Sequence, residues 1–129
     1  MDLVHQAETR ADYGARLQTL NQRTKRIAGE GNTFEVRCPW RIRVGGTKGP
    51  ESMLLPAFDH LGIPYIPSST LRGVARAQAI REKMQQEHLS WQEADKAVAP
   101  FFGHLDARKE EDCAGKVVFL DAYPVPKHP

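Results

Sequence analysis

Gly62-Ile-Pro-Tyr-Ile-Pro-Ser-Ser-Thr-Leu-Arg-Gly-Val-Ala-Arg76 is a proline-stiffened approach to a helix start, with two arginines in the first turns of that helix. Pro64 and Pro67 fix their own φ and push the residues before them toward extended geometry. Ser68, Ser69 and Thr70 are each able to cap the helix that follows. Leu71, Val74, Ala75 and Ala79 recur at roughly helical spacing, which predicts a helix from about residue 69 to about residue 86. Arg72 and Arg76 are four apart and so belong to one helix face. The free N–H groups of a helix start attract anions, which makes this junction a candidate holder of a polyanion. Gly73, inside the helix, costs about 1 kcal/mol relative to alanine and lets a backbone or ligand come close. The plainer alternative is a stiff loop, an ordinary cap and two solvated arginines. No G-x-x-x-x-G-K-[S/T] loop is present, so nucleotide hydrolysis has no motif behind it.

Upstream, residues 6–28 predict a helix, with Tyr13, Leu17, Leu20 and Ile27 as a rough apolar face and Arg16, Arg23, Lys25 and Arg26 on the polar side. Gly29, Glu30, Gly31 and Asn32 end it. From Thr33 to Val44 the period changes to two. Phe34, Val36, Cys38, Trp40, Ile42 and Val44 alternate with Glu35, Arg37, Arg41 and Arg43, which predicts a strand with one apolar and one basic face. Pro39 argues for an edge position or a bulge. Arg37, Arg41 and Arg43 form a row suited to phosphates, or equally the wet face of an edge strand. The Gly45–Pro50 segment is a flexible connector whose N–H groups, with Lys48 nearby, suit a phosphate. Residues 53–61 fit a short helix or a strand.

Downstream, residues 89–98 predict a further helix, and Glu93 stands three after Ser90 at the spacing of a capping box. Trp91, Phe101 and Phe102 read as packing residues, with base stacking as the weaker alternative. Residues 104–114 are polar and acidic and predict a surface loop. Gly115-Lys-Val-Val-Phe-Leu-Asp-Ala-Tyr123 is apolar through its middle and predicts a central strand, ended by Pro124 and Pro126.

At 129 residues the chain has room for one well-formed core. Lys and Arg number 18 against 16 Asp and Glu, a net charge of +2, with the basic excess in the first half. That excess is compatible with a nucleic-acid partner and too small to require one. Cys38 and Cys113 make neither a CxxC unit nor a zinc set, so no metal or cofactor is expected, and a reduced, cytoplasmic protein is. No apolar run approaches the length of a membrane span.

Three of these stretches occur in a telling order: the 62–76 segment, Phe101-Phe102-Gly103, and Gly115-Lys-Val-Val-Phe-Leu-Asp-Ala-Tyr-Pro124. Together they resemble the CRISPR-associated RAMP superfamily, over about residues 34–124, and within it the sixth, end subunit of type III-B (Cmr) effectors. Ser68, Thr70 and Arg72 depart from the glycine, serine and lysine usual there. The resemblance implies an α+β fold, a partial ferredoxin-like or RRM-like domain over residues 33–129 preceded by a helical segment at 1–32. Its β-α-β part would be the strand at 34–44, the helix from about 69 and the strand at 115–123. Because family members usually continue through further strands, a helix and a glycine-rich loop, the chain reads as truncated. It is therefore expected to self-associate or to be completed by another chain.

The same resemblance implies a non-catalytic structural subunit of a CRISPR ribonucleoprotein in antiviral defence, partnered by guide RNA and by other Cmr-type subunits. Lys48, Ser69, Arg72 and Arg76 are the implied RNA contacts, with Arg41 and Arg43 alongside. Protein–protein scaffolding without RNA is the first alternative. A RAMP-type endoribonuclease is the second, for which Asp59 beside His60, Asp106 near His104, and Asp121 are the acids to consider. None of these forms a specific acid–base constellation.

Overall fold

The computed structural model describes residues 13–39, 59, 61–104 and 114–125. Three helices appear among them: α1 (Tyr13–Ala28), α2 (Ser68–Glu87) and α3 (Trp91–Phe102). The chain forms two compact units, one from residues 1–66 with 120–129, the other from residues 67–119.

In the first unit, α1 ends where its sequence stops favouring helix. Lys25 and Arg26 occupy the last turn, where cations oppose the negative helix end. Gly29 follows at φ +82°, a conformation glycine adopts without a Cβ penalty, and its N–H reaches the Lys25 carbonyl at 2.9 Å. Of the expected apolar face, Leu17 and Leu20 are half-buried while Tyr13 and Ile27 are exposed. The predicted strand at 33–44 is not found where it is described, since residues 33–38 carry neither helix nor strand. Trp40 to Val44 lie outside the described residues.

The turn before α2 is organised by Asp59. Its Oδ1 accepts the N–H groups of Leu61 and Ile63, each at 2.9 Å, and Gly62 sits between them at φ +79°. Ile63 is buried. Ile66 and Ala122 then exchange two backbone hydrogen bonds, of 2.9 and 3.0 Å, as an isolated antiparallel bridge. Beside it the rings of Tyr65 and Tyr123 stack with centroids 6.0 Å apart. Asn21 of α1 donates to the carbonyl of Pro124 at 3.0 Å, which secures this returning segment.

In the second unit, α2 and α3 pack on Ile80, Ala94 and Val98, with Ala79, Met84, Leu89 and Phe102 around them. His88, in the left-handed region at φ 52° and ψ 31°, closes α2. Ser90 then caps α3: its hydroxyl accepts the Glu93 N–H, while the Glu93 carboxylate accepts the Ser90 N–H at 2.9 Å. That reciprocal box is the one its spacing predicts. The helix runs past its predicted end at 98, through Pro100, so the aromatic corner at 99–103 is the last turn of α3.

The segment from Gly115, predicted to be a central strand, forms no strand. Two of its N–H groups instead close the helix: Lys116 donates to Pro100 O at 3.1 Å and Val117 to Phe101 O at 3.0 Å. These are carbonyls that a helix end leaves without partners. Phe119 stacks on Phe102 at 5.9 Å. The expected β-α-β arrangement is thus not supported: the described residues are mainly helical, and the β pairing found among them is the isolated bridge between Ile66, outside the expected strands, and Ala122. The physical reason is local. Alternation and an apolar run give a segment the capacity to pair, but here the first donors of the run, Lys116 and Val117, are taken up by a helix terminus.

Candidate nucleic-acid interface

The start of α2 is set by Pro67, which occupies the cap position at φ −59° and ψ 141°. Its carbonyl receives the N–H groups of Thr70 and Leu71 at 3.0 and 3.1 Å. The serines and threonine expected to cap are instead the first three helical residues, and no side chain caps this helix. No acidic residue occupies the first turn. No carboxylate within that turn therefore opposes the positive end of the helix, and three hydroxyl side chains stand in it. Ser69 and Arg72 are exposed. A Cβ on Gly73 would meet nothing within 4 Å, so the space over this turn is open. That combination suits an oxyanion: hydroxyl donors, a guanidinium able to grip two oxygens, and a helix N-terminus.

Arg76 is placed differently. It is 7% exposed and turned inward. Its Nη2 donates to Asp95 Oδ1 at 2.7 Å, its Nε to the same oxygen at 3.2 Å, and its Nη1 to the carbonyl of Gly103. All three donor positions are spent on α3 and its terminus, where a cation also opposes the negative helix end. The spacing of four does not put both arginines in one environment. Arg72 lies about one helical turn nearer the N-terminus and is exposed.

Arg76 joins two of the three ordered motifs, and a glycine joins the third. Gly103 ends α3 at φ +83° and ψ 168°, a region essentially reserved for glycine, with its N–H on Ala99 O at 2.7 Å. A Cβ built on Gly115 would collide with the backbone of Phe101, Phe102 and Gly103. Arg76, residues 101–103 and residues 115–119 thus meet at the C-terminus of α3.

The remaining candidates separate. Arg41, Arg43 and Lys48 lie outside the described residues, as do His60 and Asp106. Asp59, considered as a nuclease acid, is occupied by its turn and by Arg16, whose Nη2 lies 3.4 Å from its Oδ2. The Ile63 N–H, followed by the Leu61 N–H and Arg16, holds this carboxyl below the usual range against a smaller opposing effect of burial. Asp121 lies next to the Ala122 bridge. Among the described residues no three His, Cys, Asp or Glu side chains converge in a way that would hold a metal. Asp95 escaped the sequence reading, because nothing in its position within α3 announces a partner nineteen residues upstream. The role of Asp59 had a readable signal, an aspartate two residues before a turn.

No helix among the described residues is long and apolar enough to cross a membrane. No curated protein and no solved structure matches the chain. The family model of the RAMP superfamily matches residues 33–129, a stretch that contains α2, α3 and all three motifs. With well over half of its length matched, the chain belongs to the RAMP superfamily, whose members typically work in CRISPR complexes with RNA and other subunits.

Proposed function

We propose that this chain is a non-catalytic structural subunit of a type III-B CRISPR ribonucleoprotein, contacting guide-RNA phosphates and neighbouring subunits in antiviral defence. The observation that carries this reading is the start of α2, whose cap residue Pro67 offers no side-chain bond, whose first turn holds no acidic residue, and where Ser69 and Arg72 are exposed. Phosphate is the ligand this chemistry fits best. Lys48, Arg41 and Arg43 extend the proposed contact set on sequence grounds. Arg76 is withdrawn from direct contact, because its donors are committed to Asp95 and Gly103, and it becomes the residue that steadies α2 from behind. Recognition of this kind reads backbone and shape, with sequence left to base pairing by the guide.

The test is fluorescence anisotropy of a labelled CRISPR-repeat RNA with the purified full chain over a series of salt concentrations. Salt-sensitive binding that weakens in Arg72→Ala supports the reading. Binding that is absent at low salt, or indifferent to Arg72, overturns it.

A second reading, a scaffold that binds protein alone, draws on exposed apolar side chains in the second unit. Val118 is 80% exposed, and Phe101 and Trp91 are about half exposed. Association with a neighbouring subunit that is unchanged by ribonuclease treatment would favour it. An endoribonuclease reading has less behind it, since the Asp59 carboxylate is already bonded to two N–H groups and an arginine.

A further inference from the structure

We infer that the outward face of α1 is a second RNA-contacting surface, on which Lys25 and Arg26 hold backbone phosphates with Gln18 and Gln22 beside them. The inference rests on the reading that the chain binds RNA and is independent of the site at the start of α2. It concerns a helix that ends ahead of residue 33, where the family match begins. The sequence of α1 holds Arg16, Arg23, Lys25 and Arg26 and neither an Asp nor a Glu. A merely solvated helix usually mixes both signs of charge, as α2 does where Lys83 is paired with Glu87. Arg16 is accounted for by Asp59. Arg23, Lys25 and Arg26 are exposed, and among the described residues neither Lys25 nor Arg26 has an ion pair.

Spacing gathers these groups on one side. Gln22 follows Gln18 by four residues and precedes Lys25 by three and Arg26 by four, so the four share a helix face, and all are exposed. The other side is committed: Leu17, Leu20, Asn21 and Thr24 are half-buried, and Asn21 donates to the Pro124 carbonyl. The cations are therefore held outward by contacts within their own unit. Their place in the last turn also opposes the negative helix end. That role leaves the missing acids unexplained, since a carboxylate in the first turn would help the same dipole and none is there. Charge also chooses the occupant. A helix lying on a membrane needs a broad apolar face for the lipid. In α1 the apolar Leu17 and Leu20 are already partly covered, and Asn21 and Thr24 interrupt that face. Cations and amide donors on an outward face instead match the sugar–phosphate backbone of RNA.

Anisotropy of a labelled single-stranded RNA with the full chain over a salt series tests it. The double variant Lys25→Gln with Arg26→Gln is expected to lower the slope of log K against log salt by about 1.4 and to weaken binding roughly tenfold or more at about 0.1 M salt. Lys25→Arg with Arg26→Lys keeps both charges and is expected to bind like the unaltered chain. Lys83→Gln removes a cation already paired with Glu87 and is expected to leave the slope unchanged. Gln22→Lys adds a cation to the same face and is expected to raise the slope by about 0.7 and tighten binding, a gain that misfolding cannot imitate. Loss of binding in Arg72→Ala but not in the α1 double variant overturns this inference and leaves the α2 site standing. The converse result supports it and removes the α2 site. Absence of RNA binding at low salt overturns both. An effect of Lys83→Gln as large as that of the double variant, no gain from Gln22→Lys, or adherence to phosphatidylglycerol vesicles that the double variant abolishes while RNA binding is unchanged also overturns it.

Discussion

Arg76 donates from Nη2 to Oδ1 of Asp95 at 2.7 Å across the packed helices α2 and α3, with 9% of the arginine side chain and 22% of the aspartate exposed. The third donor, Nη1, holds the Gly103 carbonyl at the end of α3. Removing one partner of a buried pair leaves the other uncompensated. Arg76→Met is expected to destabilise the protein by about 3 kcal/mol. Asp95→Asn keeps an acceptor and leaves the Gly103 contact intact, so its cost is expected to be about 1–2 kcal/mol. Urea denaturation measures both. Were Arg76 a phosphate contact, its loss would leave stability unchanged and weaken RNA binding instead.

The glycines around the same terminus make a steric prediction. A methyl group at Gly115 meets backbone on three atoms, so the neighbours cannot yield by a side-chain rotation. Gly115→Ala is expected to cost about 2 kcal/mol or more. Gly103→Ala forces an ordinary residue to φ +83° and is expected to cost about 1–3 kcal/mol. Gly73→Ala serves as the control: it meets open space in a helix and is expected to stabilise by a few tenths of a kcal/mol to about 1 kcal/mol. Thermal melts of the three variants side by side check the order.

Asp59 predicts a pH dependence with a definite sign. Its carboxyl is held below the usual value in the folded chain, chiefly by the Ile63 N–H. A group of this kind contributes stability above its unfolded pKa and loses it as pH falls through the folded one. The contribution should be intact at pH 6 and decline from about pH 4 downward. Melting temperatures between pH 3 and pH 6 are expected to fall more for the unaltered chain than for Asp59→Asn. Parallel curves would show that the turn does not depend on the charge.

Arg72 and Ser69 predict a change in salt dependence. One lost phosphate contact on a single strand is expected to lower the slope of log K against log salt by about 0.7. Arg72→Ala should weaken binding to different RNA sequences alike. Ser69→Ala should weaken it less, with the slope unchanged, because a hydroxyl carries no charge. A loss confined to one RNA sequence would point to base recognition and against a phosphate site.

The helices were largely legible in the sequence, and the strands were not. Pro67 and the spacing after it located α2 to within a residue or two, and Gly29 marked the end of α1. Ser90 and Glu93 formed the capping box their spacing implied. These signals act within one or two turns of chain, so local sequence carries them. A strand is completed by its partner, and the alternation at 34–38 and the apolar run at 115–119 do not say where that partner is. The site divided in the same way. That α2 begins just after Pro67, with no acidic residue in its first turn, was readable from residues 67–73. That Arg76 faces Asp95 instead of solvent depends on a second helix, which no spacing within α2 encodes.

The end of α3 has a consequence for how the protein assembles. Pro100 supplies no N–H, and the carbonyls of Pro100 and Phe101 are met by Lys116 and Val117. The last turn of this helix is thus completed by chain synthesised well after it. Most of α3 is able to form early around Ser90 and the Ile80–Ala94–Val98 core, whereas its final turn waits for loop closure over the intervening residues. In amide exchange, the Lys116 and Val117 protons should open with the helix terminus as one cooperative step, on the timescale of the second unit and not of an exposed tail.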